Sequence, residues 1–414
     1  MTRGLYFLVA LSVASTVSRC AFANGSMSDR VLTEGWKFLR EGSSSWVDVR
    51  VPHDWAIAGP FDVKSEDGGT GKLPWKGKGE YRCALDVSAA EASTLASGGR
   101  AYLKFDGVMA SPRVKVNGKD VGGWDYGYMS FVLDVTDKVH EGDNLIEVSC
   151  DTTHHNSRWY PGAGIYRKVV FSVRPRNHVL PGSLAITTPK VSRESATVRV
   201  AYTTPEGPTN YTFTVGKPRF WDIDDPHLYT LEVLGEKVRY GIRTFEFTVN
   251  DGFHLNGRRV QLRGVNLHSD LGLLGMAFDR SAMRRQLHIM KEMGCNAIRT
   301  SHNAPSPELL ELCDEMGLVV WDECFDKWDG TAGRREDQDL EEYVIRNLRQ
   351  FVRRDRNHPS VVIWSISNEI WEWDPDFDYS GITDPWYVRT PDCQTRGRNS
   401  LFGGFVHKCG CVGW

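Results

Sequence analysis

Residues 361–366, Val-Val-Ile-Trp-Ser-Ile, constrain the fold of this chain more than any other stretch. A β-branched apolar run of this length reads as a strand buried on both faces, the kind found in parallel sheets. Pro359 precedes it and ends the incoming helix. The run passes through Ser367 into Asn368 and Glu369. A carboxylate at the carboxyl end of such a strand lies where parallel-sheet enzymes place chemistry. The plain alternative is a solvated Glu capping a buried strand.

The same pattern extends upstream. From about residue 250, strand-like and helix-like segments alternate. Val260–His268, Ala297–Thr300 and Leu318–Glu323 read as strands. Arg280–Met293, Pro307–Met316 and Leu340–Arg354 carry apolar residues at helical spacing. Asp279 is placed to cap the first helix, and Pro307 and Gly317 bracket the second. Such alternation predicts right-handed β-α-β units on a parallel sheet.

The preceding part of the chain is all β. Between residues 24 and 175, short alternating runs such as Tyr102–Phe105 and Arg113–Val116 are separated by turn residues. Asn117-Gly118 is a hairpin signal, because both turn residues must accept positive φ. This predicts a β-sandwich of jelly-roll type. Residues 176–248 form a second β stretch, shorter than the roughly 100 residues of an immunoglobulin-like sandwich. Strands are expected to be missing between about Tyr202 and Phe220. Residues 249–378 hold the alternating unit. Residues 379–414 are rich in Gly, Arg and Cys and lose all periodicity.

Four segments in order resemble glycoside hydrolase family 2, the family of β-galactosidase, β-glucuronidase and β-mannosidase. They are Val51–Trp55, Arg158–Arg167, Leu262–His268 and the run ending in Asn368-Glu369. The resemblance implies that the alternating unit is the first half of a (β/α)₈ TIM barrel. It implies retaining hydrolysis, which uses an acid/base and a nucleophile about 5–5.5 Å apart. Glu369 matches the acid/base, and Asn368 matches the residue that binds the hydroxyl beside the anomeric carbon. His268 and His302 would bind sugar hydroxyls, and Arg299 would orient and ionise the nucleophile. Asp322 and Glu323 are either active-site carboxylates or loop anchors. Trp328 and Trp371 are either sugar platforms or core. Asp54 and Arg158 are either substrate contacts or, as expected here, ion-pairing residues that hold the first domain. The Asn266–Gly272 and Thr300–Asn303 segments look most like the β-galactosidase branch, so terminal β-D-galactosides are the expected substrates, with glucuronides or mannosides next.

Two departures from the family bear on function. Lys327 and Asp329 stand where magnesium-dependent relatives carry Glu and His, so no magnesium is expected there. The chemistry implies no other cofactor. The family nucleophile belongs to a seventh strand, beyond residue 414. The chain is therefore expected to be truncated within the barrel and weakly active or inactive. A non-catalytic carbohydrate-binding remnant is the competing class.

With 50 basic and 53 acidic residues, the chain has no electrostatic case for nucleic acid or a membrane surface as partner. Met1-Thr2-Arg3 and the apolar run to Val17, followed by Ala21-Phe22-Ala23, read as a cleaved signal over residues 1–23. A secreted or periplasmic protein is expected. Oligomeric state and disulfide pairing are not legible.

Overall fold

The computed structural model describes residues 27–64, 70–155, 157–327 and 338–368. The expected signal segment 1–23, Trp328, Asp329, Glu369, Trp371 and the 379–414 tail lie outside the described residues.

The amino-terminal unit is a two-sheet antiparallel sandwich. A six-stranded sheet faces a four-stranded one. The central strand Lys78–Val87 buries every second residue, as a strand with one wet face must. Trp36 and Tyr81 from one sheet meet Leu103, Phe105 and Phe171 from the other in a single core. The Asn117-Gly118 turn has φ of 52° and 74°, the hairpin geometry expected from sequence.

The second unit departs from expectation. The interval from Tyr202 to Phe220 is not empty. Gly207–Gly216 forms a strand paired along its length with Ser195–Thr204. It is an edge strand and mostly exposed, and its apolar alternation is confined to Tyr211, Phe213 and Val215. Pro208 near its start further hides it, although edge positions tolerate proline. With Ala185–Val191 it makes a three-stranded sheet, and Tyr229–Val233 with Glu236–Tyr240 makes a second hairpin. Val198, Val200, Val233, Tyr240 and Ile242 are its core.

A hairpin of Phe245–Thr248 and Gly252–Leu255 spans the expected boundary at residue 248. Its Phe253 and Leu255 pack with Ala297, Val319 and Val362 under the parallel sheet. The first parallel strand is correspondingly shorter than Val260–His268.

The parallel sheet runs β1 (Gly264–Leu267), β2 (Ala297–Thr300), β3 (Val319–Glu323) and β4 (Val361–Ser365), in that order. Three helices, α1 (Arg280–Glu292), α2 (Pro307–Met316) and α3 (Leu340–Asp355), connect or precede these strands. Asp279 caps α1 by accepting the Ala282 N–H at 2.7 Å. Gly317 ends α2 with φ of 69°, and a Cβ there would lie 2.3 Å from the Ile223 carbonyl. No helix among the described residues is long and apolar enough to cross a membrane.

Asp314 of α2 ties the foot of β4. It accepts the Ser360 N–H at 3.0 Å and meets His358 Nδ1 at 2.5 Å. Burial works against charge on His358, but the Asp314 carboxylate holds its pKa above the usual 6.5. Folding therefore takes up a proton. The stability this gives is full below about pH 6.5 and is lost as pH rises through the elevated folded value. Urea unfolding between pH 6 and 9 is expected to show stability falling by up to about 1.4 kcal/mol per unit. His358→Gln should flatten that slope. Parallel wild-type and variant curves would rule the linkage out.

Candidate active site

The carboxyl ends of β2, β3 and β4 carry one hydrogen-bonded set. Register places Arg299 beside Trp321, and Glu323 beside Ser365, so side chains from three strands project into the same space. Glu323 is fully buried at the centre. Arg299 grips it from Nη2 at 2.9 and 2.7 Å and from Nε at 3.1 Å. His302 Nδ1 lies 2.7 Å from Glu323 Oε1, and Ser365 Oγ donates to Oε2 at 2.7 Å. An ionised carboxylate only accepts, so Nδ1 of His302 is the donor in this contact. The Glu323 N–H is itself held by Thr300 Oγ1 at 2.8 Å.

Arg299 also donates to Asn368 Oδ1 at 2.9 Å. Asn368 Nδ2 donates to Asp326 Oδ1 at 3.0 Å. Its amide is thereby oriented from both ends: arginine has only donors, and an ionised carboxylate only acceptors. His268, past the end of β1, stands across from His302 with ring centroids 5.4 Å apart and nearly perpendicular. Burial and then the neighbouring His302 lower the His268 pKa, which keeps the imidazole neutral at pH 7 and able both to donate and to accept. Trp159, from the amino-terminal sandwich, packs against both imidazoles at 4.7 and 5.3 Å.

Of the expected residues, Arg299 and His302 meet through Glu323, Asn368 joins through Arg299, and His268 stands alongside. Glu369 follows Asn368 directly and lies outside the described residues. The adjacent acids Asp322 and Glu323 separate, because successive strand residues face opposite sides of a sheet. Glu323 joins the site. Asp322 is buried on the other side near Thr300 and Asp355, and burial, reinforced by the Asp355 charge, pushes its pKa well up.

Asp54 holds its domain, but not by the ion pair expected. It accepts the Ala56 and Ala163 N–H groups, each at 3.1 Å, the Met276 N–H at 2.9 Å and the Tyr160 hydroxyl at 2.7 Å. Those four donors match a carboxylate's capacity of about four lone-pair sites. No ion pair to Asp54 forms among the described residues. Arg158 does form one, with Asp326 across the two units. Sequence reasoning missed Asp326, Trp159 and Ser365. Trp159 and Ser365 lie inside segments that the sequence singles out, whereas Asp326 carries no local signal. No three His, Cys, Asp or Glu side chains among the described residues converge as a metal would need. Cys83, Cys150, Cys295, Cys313 and Cys324 are free thiols.

The family model for the glycosyl hydrolases family 2 TIM barrel domain matches residues 247–379. Beta-galactosidase BoGH2A of Bacteroides ovatus is 39% identical over 378 residues, a match covering 80% of this chain and 44% of that protein. A crystallised glycosyl hydrolase family 2 member from Bacteroides cellulosilyticus is 30% identical with a TM-score of 0.74, over 83% of this chain and 52% of that one. A Bacteroides uniformis beta-glucuronidase is 25% identical with a TM-score of 0.66, over 82% and 46%. The chain thus spans about half the length of the relatives it matches. Residues 247–379 thus match the glycosyl hydrolase family 2 barrel domain, and in sequence and fold the chain is similar to members of that family.

Proposed function

We propose that this chain provides the acid/base half of a retaining β-glycosidase acting on terminal β-D-galactosides. The observation that carries the reading is the junction of Arg299, His302, Glu323 and Asn368 at the rim of the parallel sheet. Glu369, next to Asn368, donates its proton to the glycosidic oxygen as the bond to the anomeric carbon breaks. A second carboxylate, which Arg299 is placed to hold ionised, takes the anomeric carbon. Glu369 then removes a proton from the water that releases the sugar. His268, held neutral, and His302 beside it hydrogen-bond the hydroxyls. The likeness to Beta-galactosidase BoGH2A favours galactosides. The likeness to a beta-glucuronidase makes glucuronides the second candidate. The chain is proposed to be exported, with residues 1–23 as its leader.

Hydrolysis of aryl β-D-galactoside and aryl β-D-glucuronide by the purified 414-residue chain tests this. Turnover that falls by about 10³-fold or more in Glu369→Gln supports the acid/base role. If neither substrate turns over, calorimetry with a galactoside decides: binding that weakens in His268→Ala and Arg299→Ala keeps the site. No binding to either sugar overturns the reading.

A further inference from the structure

We propose that Arg158, in the amino-terminal sandwich, is a positioning residue that acts through Asp326 on Asn368 and so on the neighbouring acid/base. The proposal rests on the hydrolytic reading above. Arg158 meets the buried Asp326 carboxylate as a fork, Nη2 to Oδ1 at 2.5 Å and Nε to Oδ2 at 3.2 Å. That carboxylate takes the Asn368 amide nitrogen at 3.0 Å, and the Asp326 carbonyl takes the Asn368 N–H at 2.9 Å. Asn368 is therefore held by main chain and side chain to a residue that is itself held by the other domain.

Charge gives the relay a second consequence. Asp326 is 3% exposed and Arg158 about half exposed. Bidentate guanidinium–carboxylate pairing both neutralises and aims the acid. Without Arg158, a buried negative charge is left uncompensated against Asn368, the residue that precedes the acid/base in sequence, and a like charge nearby favours the protonated acid. Trp159, one residue on, packs the same loop against His268 and His302, so the loop touches the site at two points.

Arg158→Ala in the full chain is expected to lower kcat on aryl β-D-galactoside by about 10- to 100-fold, with KM changed far less. The alkaline limb of its pH–rate profile should move up. Arg158→Lys should return the limb, since it restores charge, but not the full rate, since it lacks the fork. Asp326→Asn added to Arg158→Ala should also return the limb. Hydrogen exchange read by mass spectrometry gives a measure independent of turnover. The Asn368 amide should exchange about tenfold faster in Arg158→Ala, with Lys78–Val87 unchanged. Unchanged exchange at Asn368, or faster exchange throughout the sandwich, overturns the relay whether or not the chain is active. Exchange as expected with neither turnover nor galactoside binding by the wild type keeps the clamp and removes the galactosidase reading instead.

Discussion

Glu323→Ala is expected to destabilise the chain by about 3–5 kcal/mol, the usual cost of removing one partner from a buried ion pair. Arg299, His302 and Ser365 all donate to this one carboxylate. Its loss leaves a guanidinium inside the protein with Asn368 and Asn266 as neutral acceptors. Glu323→Gln should do little better. Its amide oxygen accepts, but its amide nitrogen then points a donor at donors. Function should suffer beyond stability, because Arg299 and His302 lose the group that fixes their orientation. Displacements of about 1 Å at such groups cost about 100-fold in rate. The neighbouring acid supplies the control. Asp322 has a pKa pushed well up by burial, so Asp322→Asn replaces a group already reluctant to ionise. That substitution should stay within about 1 kcal/mol of wild type. Urea unfolding at pH 7 measures both. A Glu323→Ala midpoint no lower than that of Asp322→Asn would defeat the claim that Glu323 organises the site.

The second large effect is expected at Arg167, where the sandwich meets the parallel unit. Its guanidinium is fully buried and donates to the carbonyls of Tyr128 at 2.8 Å, Ala304 at 2.9 Å and Asp106 at 3.3 Å. It also lies over the Tyr166 ring, 4.9 Å from the centroid. Burial lowers its pKa, the Tyr166 and Asp106 groups working against that. Arg167→Ala strands the buried carbonyls of Tyr128 and Ala304, each costing about 1–3 kcal/mol when unpaired, leaves that of Asp106 with the Ser130 hydroxyl alone, and opens a cavity beside Tyr166. A loss of about 4 kcal/mol or more is expected. Arg167→Lys should rescue little, since one ammonium cannot replace a planar fork that reaches both units. Hydrogen exchange in Tyr126–Met129 and in Asn303–Pro305 should rise together. A drop in unfolding midpoint of under about 2 °C would show that this contact does not hold the units together.

The parallel unit was legible because its signals are local. The apolar period, Asp279, Pro307, Gly317 and the β-branched run before Asn368 each act within a few residues. The edge strand Gly207–Gly216 was not legible. Its alternation is short, only Phe213 and Val215 pack on the core, and pairing with Ser195–Thr204 defines the rest of the strand. The site divides in the same way. His268, His302, Arg299 and Asn368 stand in motifs. Glu323 could not be separated from Asp322 by sequence, because what distinguishes them is which side of the sheet each faces. Asp54 was read as a charge awaiting a cation, yet three backbone amides and a phenol satisfy it.

By itself, then, the sequence determined the order of secondary structure, the parallel sheet and the residue types at its rim, since those follow from spacing along the chain. Only the tertiary structure decided that Glu323 is the hub, that Asp322 is not part of the site, and that Arg158 reaches Asp326 across 168 residues. The first two depend on how strands of one sheet align, and the last on how the sandwich packs on the parallel unit. No local rule fixes the relative placement of groups so far apart in sequence, whereas burial makes each such pairing energetically decisive once the units have met.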